Sequence, residues 1–281
     1  FDDTAARFTV TQAMPTVPGN VTISNSVYNY TFTGTNGMSG PASLTKWGTA
    51  TCVVQTANAY LGNTAINGGM LRLSGGDNRL PATTGITLSN SVVCALDLNG
   101  CNQAVNSLSG GGNTGGNILL GSGTLVVTQS VTTSYGGIIS GSGGMIKSGS
   151  GSLSLTGATA NAFTGLSALN QGDLYLNKQT GPALGGDVRL GSGTADQPNL
   201  RMQQPNQFTP TAVMSFGNAW NNWCRFDLLG KDQSLAGLDT GYGSSGGAII
   251  QNEGLSGYGN GCGQATLTVS NNVERYYYGY L

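Results

Sequence analysis

Residues 134–176 read SYGGIISGSGGMIKSGSGSLSLTGATANAFTGLSALNQGDLYL. Within them Leu153-Ser154-Leu155 and Leu174-Tyr175-Leu176 alternate apolar and polar residues, and Gly, Ser and Asn bound each run. Period-two alternation closed off by turn residues signals a short strand with one buried face. The same pattern recurs at Leu71-Arg72-Leu73 and Leu96-Asp97-Leu98, and no stretch keeps a helical period. The chain reads as all-β, built from many short strands.

Composition agrees and excludes several functions. Gly fills 47 of 281 positions, and charged residues make up 8% where about 25% is usual. An apolar fraction of 38% is too high for a Gly- and Ser-rich linker. There is no His, which rules out imidazole as catalytic base or metal ligand. The 11 Lys and Arg are scattered and the net charge is -1, so there is no basic footprint for nucleic acid. No apolar run reaches the ~20 residues of a membrane-spanning helix.

Self-similarity then fixes the architecture. Residues 123–139, GTLVVTQSVTTSYGGII, align without a gap onto 265–281, ATLTVSNNVERYYYGYL. MSGPASLTKWGTAT (38–51) falls on ISGSGGMIKSGSGS (139–152), which superposes Lys46 on Lys147. CALDLNGCNQAVNSL (94–108) matches CRFDLLGKDQSLAGL (224–238), so that Cys94, Asp97 and Gln103 recur as Cys224, Asp227 and Gln233. Strand blocks that return at this rhythm fit a solenoid of about 20–25 residues per coil and around a dozen coils. The fold expected is a right-handed parallel β-helix (β-solenoid), continuous over 1–281. Lead-in strands occupy 1–33 and a first long repeat unit 34–139. A second, longer unit spans 140–281, with an insertion around 195–223. Alternation points Leu96, Leu98, Leu153, Leu155, Leu174, Leu176, Phe226 and Leu228 inward as a core ladder.

Residues 134–176 resemble the autotransporter-associated β-strand repeat. The shared pattern is a Gly-Ser turn, a Lys, a Gly-rich turn and a Leu-x-Leu strand. An Asn-x-aromatic-x-Gly turn and a Gly-x-Leu-x-Leu strand follow. Residues 38–73 resemble a weaker copy, 77–110 are similar to the spacers between such repeats, and the likeness extends over most of 28–281. The resemblance implies an exported bacterial β-helix, either a surface passenger or an extracellular fibre. Neither a signal peptide nor a C-terminal membrane barrel stands in the sequence. The expectation is therefore a passenger from which both were processed away, or a piece of one.

Candidate sites are few. The five Cys show no zinc-ligand spacing. Cys94 and Cys224 read as small buried hydrophobes, a Cys94–Cys101 disulfide across the Asn99-Gly100 turn is an alternative, and Cys262 adds a further thiol. Asp97 and Asp227 precede turns and are expected to bind turn amides rather than to serve as acid and base. Lys46 and Lys147 are expected to be solvated on one face of the solenoid. No metal or cofactor is expected. Aromatics carry the binding signal: Tyr28, Tyr30 and Phe32, then Trp220 and Trp223 in the insertion, then Tyr276, Tyr278 and Tyr280. Such side chains stack on sugar rings or on protein surfaces.

The leading expectation is a non-catalytic extracellular structural protein, a stalk or fibre subunit that stacks head-to-tail on copies of itself. The alternative is a surface adhesin that binds carbohydrate through exposed aromatics. A polysaccharide-degrading β-helix enzyme ranks third, because its carboxylates would have to converge and the acids here are scattered.

Overall fold

The structure, a computed structural model, describes residues 1–192, 197–217, 223–240, 247–253, 262–271 and 273–281. It is all-β, with parallel strands stacked as a β-solenoid of about ten turns. Coil length varies along the chain. Cys52 pairs with Leu71 only 19 residues on. Leu174 pairs with Leu200, and Leu200 with Phe226, each 26 residues on.

The chain divides into two compact units, one of residues 1–128 and 133–143, the other of 129–132 and 144–281. In the first unit one sheet runs through Val21–Ser24, Leu44–Trp47, Thr64–Ile66, Gly85–Leu88, Ser107–Gly110 and Thr133–Tyr135. A second runs from Thr9–Gln12 through Tyr30–Gly34, Thr51–Val54, Met70–Leu73, Ala95–Asp97 and Asn117–Gly121 to Ile139–Gly141. In the second unit Ser152–Leu155, Asp173–Leu176, Asn199–Met202, Cys224–Asp227 and Ala248–Gln251 form one sheet. Met145–Ser148, Ser167–Leu169, Val188–Leu190, Val213–Phe216 and Gly237–Asp239 form another.

The register stacks like on like. Leu153, Leu174, Leu200, Phe226 and Ile250 make one inward row, and Leu155, Leu176 and Met202 the next. All eight residues expected in the core ladder are buried. Each strand thus hydrogen-bonds to the coils before and after it while alternate side chains leave water, and burial at ~25 cal/mol per Å² drives the stacking.

Repeated polar residues complete the interior. Gln103 accepts a hydrogen bond from the Leu80 amide (3.0 Å) and donates to the Leu80 carbonyl (2.9 Å), so one buried side chain clamps both backbone groups of the preceding coil. Its repeat partner Gln233 does the same to Phe208, at 3.2 and 3.4 Å. Asp97 and Asp227 accept from the turn amides of Asn99 (2.8 Å) and Leu229 (3.2 Å). Tyr135 and Tyr277, also repeat partners, each donate to a carbonyl three residues on, that of Ile138 (3.5 Å) or Tyr280 (2.8 Å).

Lys46 and Lys147 correct the expectation of solvated lysines: both are fully buried, as is Lys178. Glycine-rich turns supply what water would otherwise give. The Lys46 Nζ donates to the carbonyls of Trp47 (2.6 Å), Gly48 and Gly68 (both 3.3 Å). The Lys147 Nζ donates to those of Gly149 (2.6 Å), Gly151 and Gln171 (2.9 Å). A left-handed glycine lines each cage, Gly69 at φ 64° and Gly172 at φ 74°. A Cβ on either would meet the ammonium, at 2.7 and 2.6 Å respectively.

Burial depresses the ammonium pKa of both Lys147 and Lys178 to about 8, and pushes the Tyr277 phenol up to about 12. Below pH 8 folded and unfolded lysines are both protonated and the lysine contribution is constant. Between about 8 and the ordinary lysine value of 10.5, the unfolded chain binds more protons, so stability rises with pH. Tyr277 acts oppositely: its phenol ionises near 10 when unfolded, so its contribution falls between 10 and about 12. The urea midpoint of the second unit should therefore rise from pH 7 to pH 9 and turn down above pH 10. A midpoint that falls steadily from pH 7 to 9 would contradict this.

Candidate functional site

The outward side chains of the second unit's sheet Ser152–Leu155, Asp173–Leu176, Asn199–Met202, Cys224–Asp227 and Ala248–Gln251 stand in two rows. One is Ser152, Asp173, Asn199, Arg225 and Ile249; the other is Ser154, Tyr175, Arg201, Asp227 and Gln251. Adjacent rungs lie about 4.8 Å apart, so these groups form a largely polar face, interrupted at Ile249. In the first unit the comparable row is Thr22, Thr45, Ala65, Thr87 and Ser109, small and uncharged. Charge and hydrogen-bonding variety concentrate on the second unit's face.

Its geometry is pre-organised. Arg201 Nη1 donates to the Tyr175 hydroxyl at 2.7 Å, its guanidinium carbon lies 5.5 Å from the centre of that ring, and Asp173 Oδ1 is 3.8 Å away. Ser152 donates to Asp173 Oδ2 at 3.3 Å. Asp227 accepts from the side chain of Gln251 (3.2 Å) and the amide of Glu253 (3.1 Å), besides the turn amide of Leu229. Arg225 stands in the first row between Asn199 and Ile249. Trp223, 42% exposed, directly precedes the strand Cys224–Asp227. Cys224 points inward, so alternation sets Trp223 on the outward side with Arg225.

This arrangement suits binding by stacking and hydrogen bonds. The two carboxylates are both engaged, Asp227 by amides and Asp173 by Ser152 and Arg201, and the strand Asn199–Met202 lies between them. Among the described residues no three acidic or thiol side chains gather as a metal site.

The aromatics expected as surface contacts divide. Tyr28 is half exposed and stacks on Phe8 at 4.3 Å. Tyr276 and Tyr278 are exposed and stack on each other at 6.0 Å and 6°, and Tyr280 is exposed too. Tyr30 and Phe32 correct the expectation: both are buried, because they are the inward positions of the strand Tyr30–Gly34, and Tyr30 donates to the Asp2 carbonyl at 2.7 Å. Trp220 lies outside the described residues. Cys94 and Cys224 are buried, while Cys101 and Cys262 are partly exposed. Cys94 and Cys101 are not joined: all five Cys are free thiols, and Cys94 faces the interior, donating to the Ile66 carbonyl at 2.9 Å.

Arg201, Arg225, Tyr175, Asp173 and Gln251 were not singled out from the sequence. Their signal was the polar middle residue of Leu174-Tyr175-Leu176, Leu200-Arg201-Met202 and Cys224-Arg225-Phe226.

The fold defines a class, the parallel β-solenoid, and the repeat pattern is similar to that of autotransporter passengers. Over 127 residues, 44% of this chain, the sequence is 38% identical to the protein described as Adhesin BmaC autotransporter, from Brucella suis biovar 1 (strain 1330). The matched stretch spans only 4% of that relative's length. No family model matches the chain, and no solved structure matches it.

Proposed function

We propose that the chain is a non-catalytic part of a bacterial surface adhesin, and that the polar face of its second unit binds carbohydrate. The observation that carries this reading is the pair of rows that brings Asp173, Tyr175, Arg201, Arg225 and Gln251 together beside the exposed indole of Trp223. Sugars are held by such sets: planar hydrogen-bonding groups meet hydroxyls, and an aromatic face takes the apolar side of a pyranose. The similarity to an adhesin supports a surface location and a binding role. The coils would carry this face away from the cell as a stalk.

Glycan-array binding tests it. Trp223→Ala should abolish binding to the glycans that the native chain retains, since loss of one stacking anchor typically removes more than about tenfold in affinity. Tyr28→Ala, which alters an aromatic in the first unit, should leave binding unchanged. Equal binding by the native chain and Trp223→Ala would end the proposal for this face.

A second reading rests on the exposed, stacked pair Tyr276 and Tyr278, which suits contact with another copy. In it the coils assemble head-to-tail into filaments. Electron microscopy of native material at neutral pH would show filaments under this reading and single particles otherwise.

A further inference from the structure

We propose that the saccharide bound by the second unit is acidic, with its negative charge held by Arg225 while a ring packs on Trp223; this rests on the carbohydrate reading above.

Apart from Arg7, which precedes the first strand, the other arginines of this protein have partners. Arg72 pairs with Asp97 at 2.7 Å, Arg201 with Asp173 and Tyr175, and Arg275 with Asp239 at 3.7 Å. Arg79 donates to the carbonyls of Gln55 and Asp77, and Arg189 reaches the Asn170 side chain at 3.5 Å. Arg225 is the arginine on a strand whose side chain has neither hydrogen bond nor ion pair among the described residues. It is partly exposed, and it stands inside its row, with a neighbour on either side.

Its surroundings sharpen the point. The carboxylate two positions on, Asp227, is directed at turn amides and Gln251 instead of at Arg225. In Asp173, Oδ2 accepts from Ser152 and Oδ1 lies 3.8 Å from Arg201. In the row itself Arg225 is flanked by Asn199 and Ile249, neither of which carries charge. A guanidinium without a counter-charge is complementary to a planar anion, and its fork matches a carboxylate or sulfate in two-point contact. Trp223, two residues back on the same side, lies about 7 Å along the strand, close to the span of one sugar ring. A ring on the indole with its acidic substituent on the guanidinium satisfies both groups at once. A neutral sugar would satisfy only the indole.

The test uses the full chain and an array of uronate-containing, sialylated and sulfated oligosaccharides, each printed beside its uncharged form, the methyl ester or the desulfated sugar. At least one acidic member should bind about tenfold tighter than its neutral counterpart, with the gap narrowing as salt rises. Arg225→Gln should erase that preference, bringing the acidic member down to the level of its neutral counterpart, and Arg225→Lys should restore part of it. Far-UV circular dichroism of both variants should match the native chain. Acidic and neutral forms bound equally, with both lost in Trp223→Ala, would overturn the acidic inference and leave the carbohydrate reading standing. Binding to no member of the array would overturn both.

Discussion

Gly172→Ala should destabilise the second unit by about 3–5 kcal/mol, a large fraction of what a domain of this size has to lose. Gly172 sits at φ 74°, where an L side chain is strained by about 1 kcal/mol or more. Space is the larger problem. Its Cβ would stand 2.6 Å from the carbonyl oxygens of Gly149 and Gly151 and 2.6 Å from the Lys147 ammonium. Two of those three neighbours are backbone, so the turn must open or the cage must come apart. Urea unfolding followed at the Tyr and Trp signals, with hydrogen exchange of the strands Met145–Ser148 and Asp173–Leu176, would measure the loss. A change below about 1 kcal/mol would mean that the cage relaxes freely.

Lys147→Ala attacks the same cage from inside and should also lose about 3–5 kcal/mol. Three carbonyls lose their donor, each worth about 1–3 kcal/mol when buried and unpaired, and the missing side chain leaves a cavity. Against this stands the relief of keeping a charge out of water, which is why burial drives the ammonium pKa down to about 8. Lys147→Met separates these effects, because it fills most of the volume and removes both charge and donor. It should be milder than Lys147→Ala, and the double variant with Gly172→Ala should lose less than the sum of the two single changes. Strict additivity would show that the two residues do not share one cage.

Much of the fold was legible because the interior repeats chemically. Leu153, Leu155, Leu174 and Leu176 announce their strands by alternation, and in the sheet Leu153 pairs with Leu174 and Leu155 with Leu176. The recurrence of Gln103 at Gln233 could be seen without its meaning, since the clamp acts on backbone groups 23 and 25 residues earlier, which no side-chain pattern marks. The lysines were misread for the same reason. A buried ammonium is unfavourable unless acceptors surround it, and here they are main-chain carbonyls of turns, including Gly68 and Gln171, that folding brings back 22 and 24 residues later. Tyr30 and Phe32 look like a surface cluster until the parity of their strand is fixed. The polar rows were hidden differently. Asp173, Asn199 and Arg225 align only through coils of 26 residues, and coil length is what insertions disguise.

The caged ammonium groups also determine which reagents can touch this protein. Lys46, Lys147 and Lys178 are sealed inside, which leaves Lys231 as the one lysine of four with solvent access. The positive charge shown to the outside is otherwise arginine, which carries no amine to acylate and keeps its proton at any physiological pH. An amine-directed label would mark Lys231 alone among the lysines of intact coils and reach the other three only as the coils come undone.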